Sequence, residues 1–201
     1  VMDALSEATT RMSEAEVLQL SKTGDPEITE EEYFTIISGK TGVLISAACR
    51  IGAVLADMPE EKETALRDFG LKAGIAFQLA DDVLDYVAQQ AALGKKLGKD
   101  LEEGKITMPL IHLLKDALPA ERDEIITIIK EASKEEKDDG HNGSHLARII
   151  ELYTKYDSIV KAMKTAQKLV DDARKCLAVF PDSLHKDALM TLAAYSMQRK
   201  S

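Results

Sequence analysis

Apolar residues recur along this chain at helical spacing and almost nowhere alternate with polar ones. Leu5, Ala8, Met12, Ala15 and Leu20 mark a first helix from about Asp3 to Leu20, which Thr23-Gly24-Asp25-Pro26 ends. Thr29 followed three residues later by Glu32 is a capping-box pattern, and Tyr33, Ile36, Ile37, Leu44, Ala48 and Ile51 continue a nearly buried helix towards Asp57. Pro59 fits the first turn of a third helix, which runs through Leu66, Phe69, Leu71, Ile75 and Leu79 to about Val87. From Ala91 to Thr107 glycines and lysines replace the apolar period, and the stretch reads as an ordered loop. Pro109 opens a helix through Leu118, Pro119 opens another to about Lys134, and Asp138-Asp139-Gly140-His141-Asn142-Gly143 reads as a turn. Ser144 to Val179 carries two abutting helices, and after Pro181 a last one runs from about Ser183 to Gln198. No segment alternates with period two over strand-forming residues, so the expected fold class is all-α, with helices apolar enough to pack as a bundle.

Composition narrows this picture. A chain of 201 residues without a linker-like stretch suggests one domain over 1–201. The net charge of −9 argues against a general nucleic-acid binder, while Lys95, Lys96, Lys99 and Lys105 form a local basic group suited to phosphates. Cys49 and Cys176 are isolated on apolar helical patterns and read as small core residues rather than as a disulfide or a nucleophile. Arg50, Asp57 and Lys72 interrupt the best apolar runs, so neither a membrane span nor a signal peptide is expected, and the location should be cytoplasmic. The four histidines show no metal-type pairing. The chain begins with Val inside a helical pattern, which leads to the expectation of an upstream part.

Chemistry concentrates in Phe77-Gln78-Leu79-Ala80-Asp81-Asp82-Val83-Leu84-Asp85-Tyr86. On a helix Asp81 and Asp85 stack one turn apart, with Asp82 about 100° round the axis from Asp81. Bare carboxylates so placed repel by roughly 3 kcal/mol at an effective dielectric near 20, and a divalent cation reverses the sign. The apolar neighbours set these acids apart from an ordinary solvated stripe. Mg²⁺, which keeps several waters and favours phosphate oxygens, suits two or three spaced carboxylates. Beyond them, Gly94-Lys95, Gly98, Asp100 and Gly104-Lys105 offer close backbone approach and compact positive charge, as a diphosphate requires. Ser38-Gly39-Lys40-Thr41-Gly42 interrupts an apolar helix with a cation; the flanking glycines favour close helix contact or a local irregularity, with Lys40 either in a polar cleft or snorkelling to solvent.

Lys40-Thr41, Phe77-Gln78, Asp81-Asp82-Val83-Leu84-Asp85 and the run from Gly94 through Lys105-Ile106-Thr107-Met108-Pro109 stand in an order that closely resembles the trans-isoprenyl (polyprenyl) diphosphate synthases. Glu16-Val17-Leu18-Gln19 also resembles that family's Gly-Glu-x-x-Gln helix, with Ala15 where Gly is usual. The resemblance implies a helical bundle of the isoprenoid synthase type that condenses isopentenyl diphosphate with an allylic prenyl diphosphate and releases pyrophosphate, using Mg²⁺. It implies Asp81 as a direct metal ligand, with Asp82 and Asp85 acting largely through metal-bound water. Lys40 and Lys95 would bind the allylic diphosphate, Thr41 and Gln78 would lie beside the developing cation, and Phe77 would shape the site near isopentenyl diphosphate. It also implies a homodimer.

The family carries a first aspartate-rich motif, Asp-Asp-x-x-Asp followed by paired arginines, and no such cluster occurs in these residues; Asp138-Asp139 and Asp171-Asp172 lack the third acid and the arginines. The sequence therefore looks like roughly the C-terminal two thirds of such an enzyme, nearly inactive alone. The alternative is a non-catalytic binding or regulatory subunit of a complete synthase.

Overall fold

The computed structural model describes residues 1–87, 98–132 and 139–198. Its helices are α1 (Met2–Ser21), α2 (Glu30–Ile37), α3 (Val43–Leu55), α4 (Glu60–Val87), α5 (Lys99–Glu102), α6 (Met108–Asp116), α7 (Pro119–Ala132), α8 (Asp139–Lys155), α9 (Ser158–Cys176) and α10 (Leu184–Gln198). A π-helical turn, Ser38–Gly42, joins α2 to α3, and a 3₁₀ turn, Leu177–Val179, follows α9. No strand occurs among the described residues, as the apolar period requires.

Local chemistry explains where three of these helices begin. The backbone N–H of Thr29 donates to Glu32 Oε2 at 2.9 Å, while the N–H of Glu32 donates to Thr29 Oγ1 at 3.1 Å, so the capping box closes on both sides. Pro109 lies in the first turn of α6 and Pro119 opens α7, where a missing N–H costs nothing. Two expectations are corrected. The loop expected from Ala91 to Thr107 contains the short helix α5, while residues 88–97, with Gly94, Lys95 and Lys96, lie outside the described residues. The turn expected from Asp138 to Gly143 is, from Asp139 on, the start of α8. Each glycine there costs about 1 kcal/mol of helix propensity, and packing of α8 against α6 and α7, with Ile149, Leu152 and Tyr153 buried, outweighs it.

The chain forms two compact units. Among the described residues, the first comprises 1–18, 34–80 and 164–198, and the second comprises 19–33 and those within 81–163. Helix α4 contributes to both. In the first unit, Phe69, Ala76, Val170, Ala173, Leu177 and Ala193 form one buried cluster, and Ala8, Val43 and Ala47 form another. In the second, Val83, Met108, Leu110, Leu113, Ile125, Ile129, Ile149 and Leu152 are fully buried.

One helical stretch, Glu30–Leu55, is long and apolar enough to cross a membrane by length and composition, although Lys40 and Arg50 interrupt it. Its apolarity has a use within the fold: Tyr33, Ile36, Ile37, Val43, Ala47 and Ala53 are buried, and Lys40 and Arg50 hold ion pairs with Glu16 and Glu63.

Within the first unit, the π-helical turn and α4 approach at glycine. A Cβ on Gly74 would stand 2.8 Å from Gly42 Cα, backbone against side chain, with no flexible group to yield. Gly74→Ala should therefore cost about 1–3 kcal/mol. Urea denaturation should show a lower midpoint with an unchanged slope; an unchanged midpoint would refute the close-approach argument.

Candidate functional site

In the first unit the π-helical turn Ser38–Gly42 presents Lys40 and Thr41. Gly39 makes the turn possible, since a Cβ there would lie 2.6 Å from Ala15 Cβ on α1. Such wide turns recur at functional positions because they re-aim side chains out of helical register. Lys40 Nζ pairs with Glu16 Oε2 at 2.9 Å, and both side chains remain about half accessible to solvent (40% and 51%). Thr41 Oγ1 donates to Gln78 Oε1 at 2.8 Å, which orients the Gln78 amide. Phe77 and Gln78 are half-buried on α4. Sequence reasoning left Lys40 between a cleft and snorkelling; the side chain is half-buried and engaged by an acid of α1.

In the second unit the three aspartates of α4 have three different surroundings. Asp81 is exposed, Asp82 is buried and Asp85 is half-buried. Asp82 Oδ2 accepts a 2.6 Å hydrogen bond from the phenol of Tyr33, itself 3% exposed. Burial, and then the Asp82 charge and hydrogen bond, push the Tyr33 phenol well above its ordinary range, so it remains a donor. Asp85 Oδ2 accepts the backbone N–H of Asp100 at 3.0 Å, and the Asp85 carbonyl accepts that of Gly98 at 3.0 Å. Gly98 adopts φ +76°, with Leu146 where a Cβ would stand, so glycine is required at this junction.

Burial raises the Asp85 carboxyl above its usual range, against the pull of the Asp100 and Lys99 N–H groups and Lys105, and Asp81 adds to the rise. Asp100 is raised by burial and then by the Asp85 charge. Of the lysines assigned to the basic group, Lys95 and Lys96 lie outside the described residues. Lys105 is engaged with Asp100 at 3.4 Å and with Glu103, and Lys99 pairs with Glu103 at 3.3 Å. The described part of the loop is thus ion-paired within itself.

Among the described residues, no three His, Cys, Asp or Glu side chains already converge on one cation position. The donor set still fits a hard divalent ion. Asp81 and Asp85 lie one turn apart as charged oxygen donors, one open to solvent, and their mutual repulsion is relieved by a cation. Asp82 offers less, because one oxygen is committed to Tyr33. Such a site supplies few protein oxygens and leaves room for water and phosphate, as Mg²⁺ favours. Sequence reasoning missed Tyr33 and Asp100 as supports of the carboxylates. Tyr33 sits in an apolar register and was counted with the core, whereas its pairing partner lies 49 residues away.

Comparison with known proteins agrees with the motif order. A family profile described as polyprenyl synthetase matches residues 1–142. The octaprenyl diphosphate synthase of Escherichia coli K12 is 38% identical over 200 residues, covering 99% of this chain and 59% of that protein. The crystal structure of a decaprenyl diphosphate synthase from Rhodobacter capsulatus aligns with TM-score 0.88 and 36% identity over 100% of this chain and 59% of that one. A polyprenyl synthase from Caulobacter crescentus CB15, complexed with calcium and isoprenyl diphosphate, aligns with TM-score 0.88 and 35% identity, again over 100% and 59%. The all-α architecture is that of these enzymes. The chain spans about three fifths of the length of these relatives.

Two outcomes are expected from the carboxylate supports. Tyr33→Phe removes one donor from a buried carboxylate and should lower stability by about 1–3 kcal/mol, read as a reduced urea midpoint. A variant as stable as the parent would show that Asp82 is satisfied without the phenol. For Asp100 the folded state binds its proton more tightly than the unfolded chain, so its contribution is full below the ordinary value of 3.8 and is lost as pH rises through the raised native value. Asp100→Asn should therefore stabilise the protein at neutral pH and flatten the fall in urea midpoint across that window. A steeper fall in the variant would contradict the assignment.

Proposed function

We propose, from the premise that this chain belongs to the polyprenyl synthetase family, that it serves the head-to-tail condensation of isopentenyl diphosphate with an allylic prenyl diphosphate. The product is a longer polyprenyl diphosphate, and pyrophosphate is released. The observation that carries this reading is the carboxylate set of α4: two acids one turn apart, one of them open to solvent, supported from Asp100, beside a third anchored by Tyr33. A diphosphate leaving group needs its developing charge balanced, and a magnesium ion supplies that balance when bound. The calcium and isoprenyl diphosphate complex of the Caulobacter relative supports this ligand class.

In this reading Asp81 would hold the metal ion directly, and Asp85 and Asp82 would hold it largely through water. Asp100 holds Asp85 in its rotamer through the backbone N–H, and Tyr33 does the same for Asp82 through its phenol. Lys40 and Lys95 bind the allylic diphosphate and steady its departing charge. For Lys40 this means exchanging the Glu16 carboxylate for phosphate oxygens, an exchange favoured by its partial solvent access. Thr41 and Gln78, already joined at 2.8 Å, turn oxygen dipoles towards the electron-poor allylic carbon. Phe77 shapes the surroundings of isopentenyl diphosphate. The profile match over residues 1–142 crosses both compact units, which supports one functional domain over 1–201. Family membership likewise supports a homodimer and a cytoplasmic location.

The test is an elongation assay of the native-length protein with isopentenyl diphosphate, an allylic diphosphate and Mg²⁺. Chain elongation with stoichiometric pyrophosphate release is expected, abolished by chelation, and Asp81→Ala should lower its rate by about 10²-fold or more. Absence of Mg²⁺-dependent elongation by the native-length protein would overturn the proposal, and full activity of the Asp81 variant would overturn the role given to that residue.

A further inference from the structure

Within the first unit, α4 and α9 meet at a contact that prenyl transfer does not use. Lys72 Nζ donates to Cys176 Sγ at 3.1 Å, across 104 residues of sequence. Both residues are half-buried, and Cys176 packs against the cluster formed by Phe69, Ala76, Val170, Ala173, Leu177 and Ala193. The sulfur also lies 3.4 Å from the carbonyl oxygen of Asp172, one turn back on α9, which fixes its side towards Lys72. A nitrogen nucleophile and an oxidisable sulfur are thus held within the separation of about 3–3.5 Å typical of reacting atoms. Cys49, the other free cysteine, packs on the same cluster, and burial pushes its thiol up.

We propose that Lys72 and Cys176 are a modification site, at which a hydroperoxide converts the pair into a covalent sulfur–nitrogen crosslink between α4 and α9. In the first step the Cys176 thiolate attacks one peroxide oxygen. The O–O bond breaks, sulfur is oxidised by two electrons to sulfenic acid, and the other oxygen leaves as hydroxide and takes up a proton. In the second step the lone pair of Lys72 Nζ, after loss of its ammonium proton to solvent, attacks Sγ. The S–O bond breaks and the hydroxyl leaves as water with a proton from nitrogen. No further oxidant is needed, and the linked protein is lighter than the reduced one by two hydrogens. Reduction by excess thiol cleaves the S–N bond and returns both side chains.

The experiment is peptide mapping by mass spectrometry of the full 201-residue chain after hydrogen peroxide treatment. A crosslinked species joining the peptide of Lys72 to that of Cys176 is expected, reversed by dithiothreitol and accompanied by a raised thermal midpoint. Lys72→Arg and Cys176→Ser should abolish it while retaining the parent's helical circular dichroism, and Cys49→Ser should retain it. Progression of Cys176 to sulfinic or sulfonic acid without a linked peptide would overturn the proposal. So would a Cys49–Cys176 disulfide as the main product, or a link that persists in Lys72→Arg.

Discussion

A carboxylate buried within a helix bundle constrains everything around it, and here that carboxylate is Asp82. Removing an ionised acid from water costs several kcal/mol unless strong donors replace the lost hydration. Tyr33 supplies one of them from the first turns of α2, at 2.6 Å. The bond fixes the rotation of α4 about its axis. With Asp82 turned inward, residues at about 100° per position place Asp81 and Asp85 within about 40° of each other on one side. Asp81 reaches solvent and Asp85 only partly does. The most buried acid of the trio thereby aims the other two.

The remaining supports follow the same logic of fixing polar groups through neighbours distant in sequence. Asp85 is held by backbone rather than by side chains: the N–H groups of Gly98 and Asp100 bond its carbonyl and carboxylate, and Gly98 can turn there only because it lacks a Cβ. In the first unit the glycines perform a complementary task. Gly39 against Ala15 and Gly42 against Gly74 let the chain widen into a π-helical turn without losing contact with α1 and α4. That widening turns Lys40 towards Glu16 and Thr41 towards Gln78. Each unit devotes its closest packing to a polar group that an apolar side chain would replace at lower cost if stability were the sole requirement.

Much of this was legible in the residues. Prolines at 59, 109 and 119 and the Thr29–Glu32 box mark helix starts because their chemistry is local. The glycines flanking Lys40 pointed to an irregular, closely packed helix because small residues at a helix interruption have few other uses. The pairing of Tyr33 with Asp82 was not legible: the tyrosine fits the apolar period, and its hydroxyl finds a partner only after folding. Helix α5 is a single turn inside a Gly- and Lys-rich stretch, too short for any period to register. The start of α8 runs against its own glycine and asparagine content, a case of tertiary burial overriding propensity. The different exposures of Asp81, Asp82 and Asp85 follow from the helix, on which adjacent residues face different ways.

The acids also argue against a purely structural origin. Asp82 alone would satisfy Tyr33 and orient α4. Asp85 and Asp100 oppose folding at neutral pH, since burial raises both above the ordinary carboxylate range, with the Asp81 charge adding at Asp85 and the Asp85 charge at Asp100. Neutral amides could accept the same backbone N–H group at Asp85 without that penalty. A fold that retains two such carboxylates, places a third one turn away in solvent, and supports them with glycine and backbone is set up for positive charge arriving from outside. The lysines of the described loop do not supply it, because Lys99 and Lys105 are already matched by Glu103 and Asp100. The negative charge at Asp81 and Asp85 is therefore suited to a divalent cation.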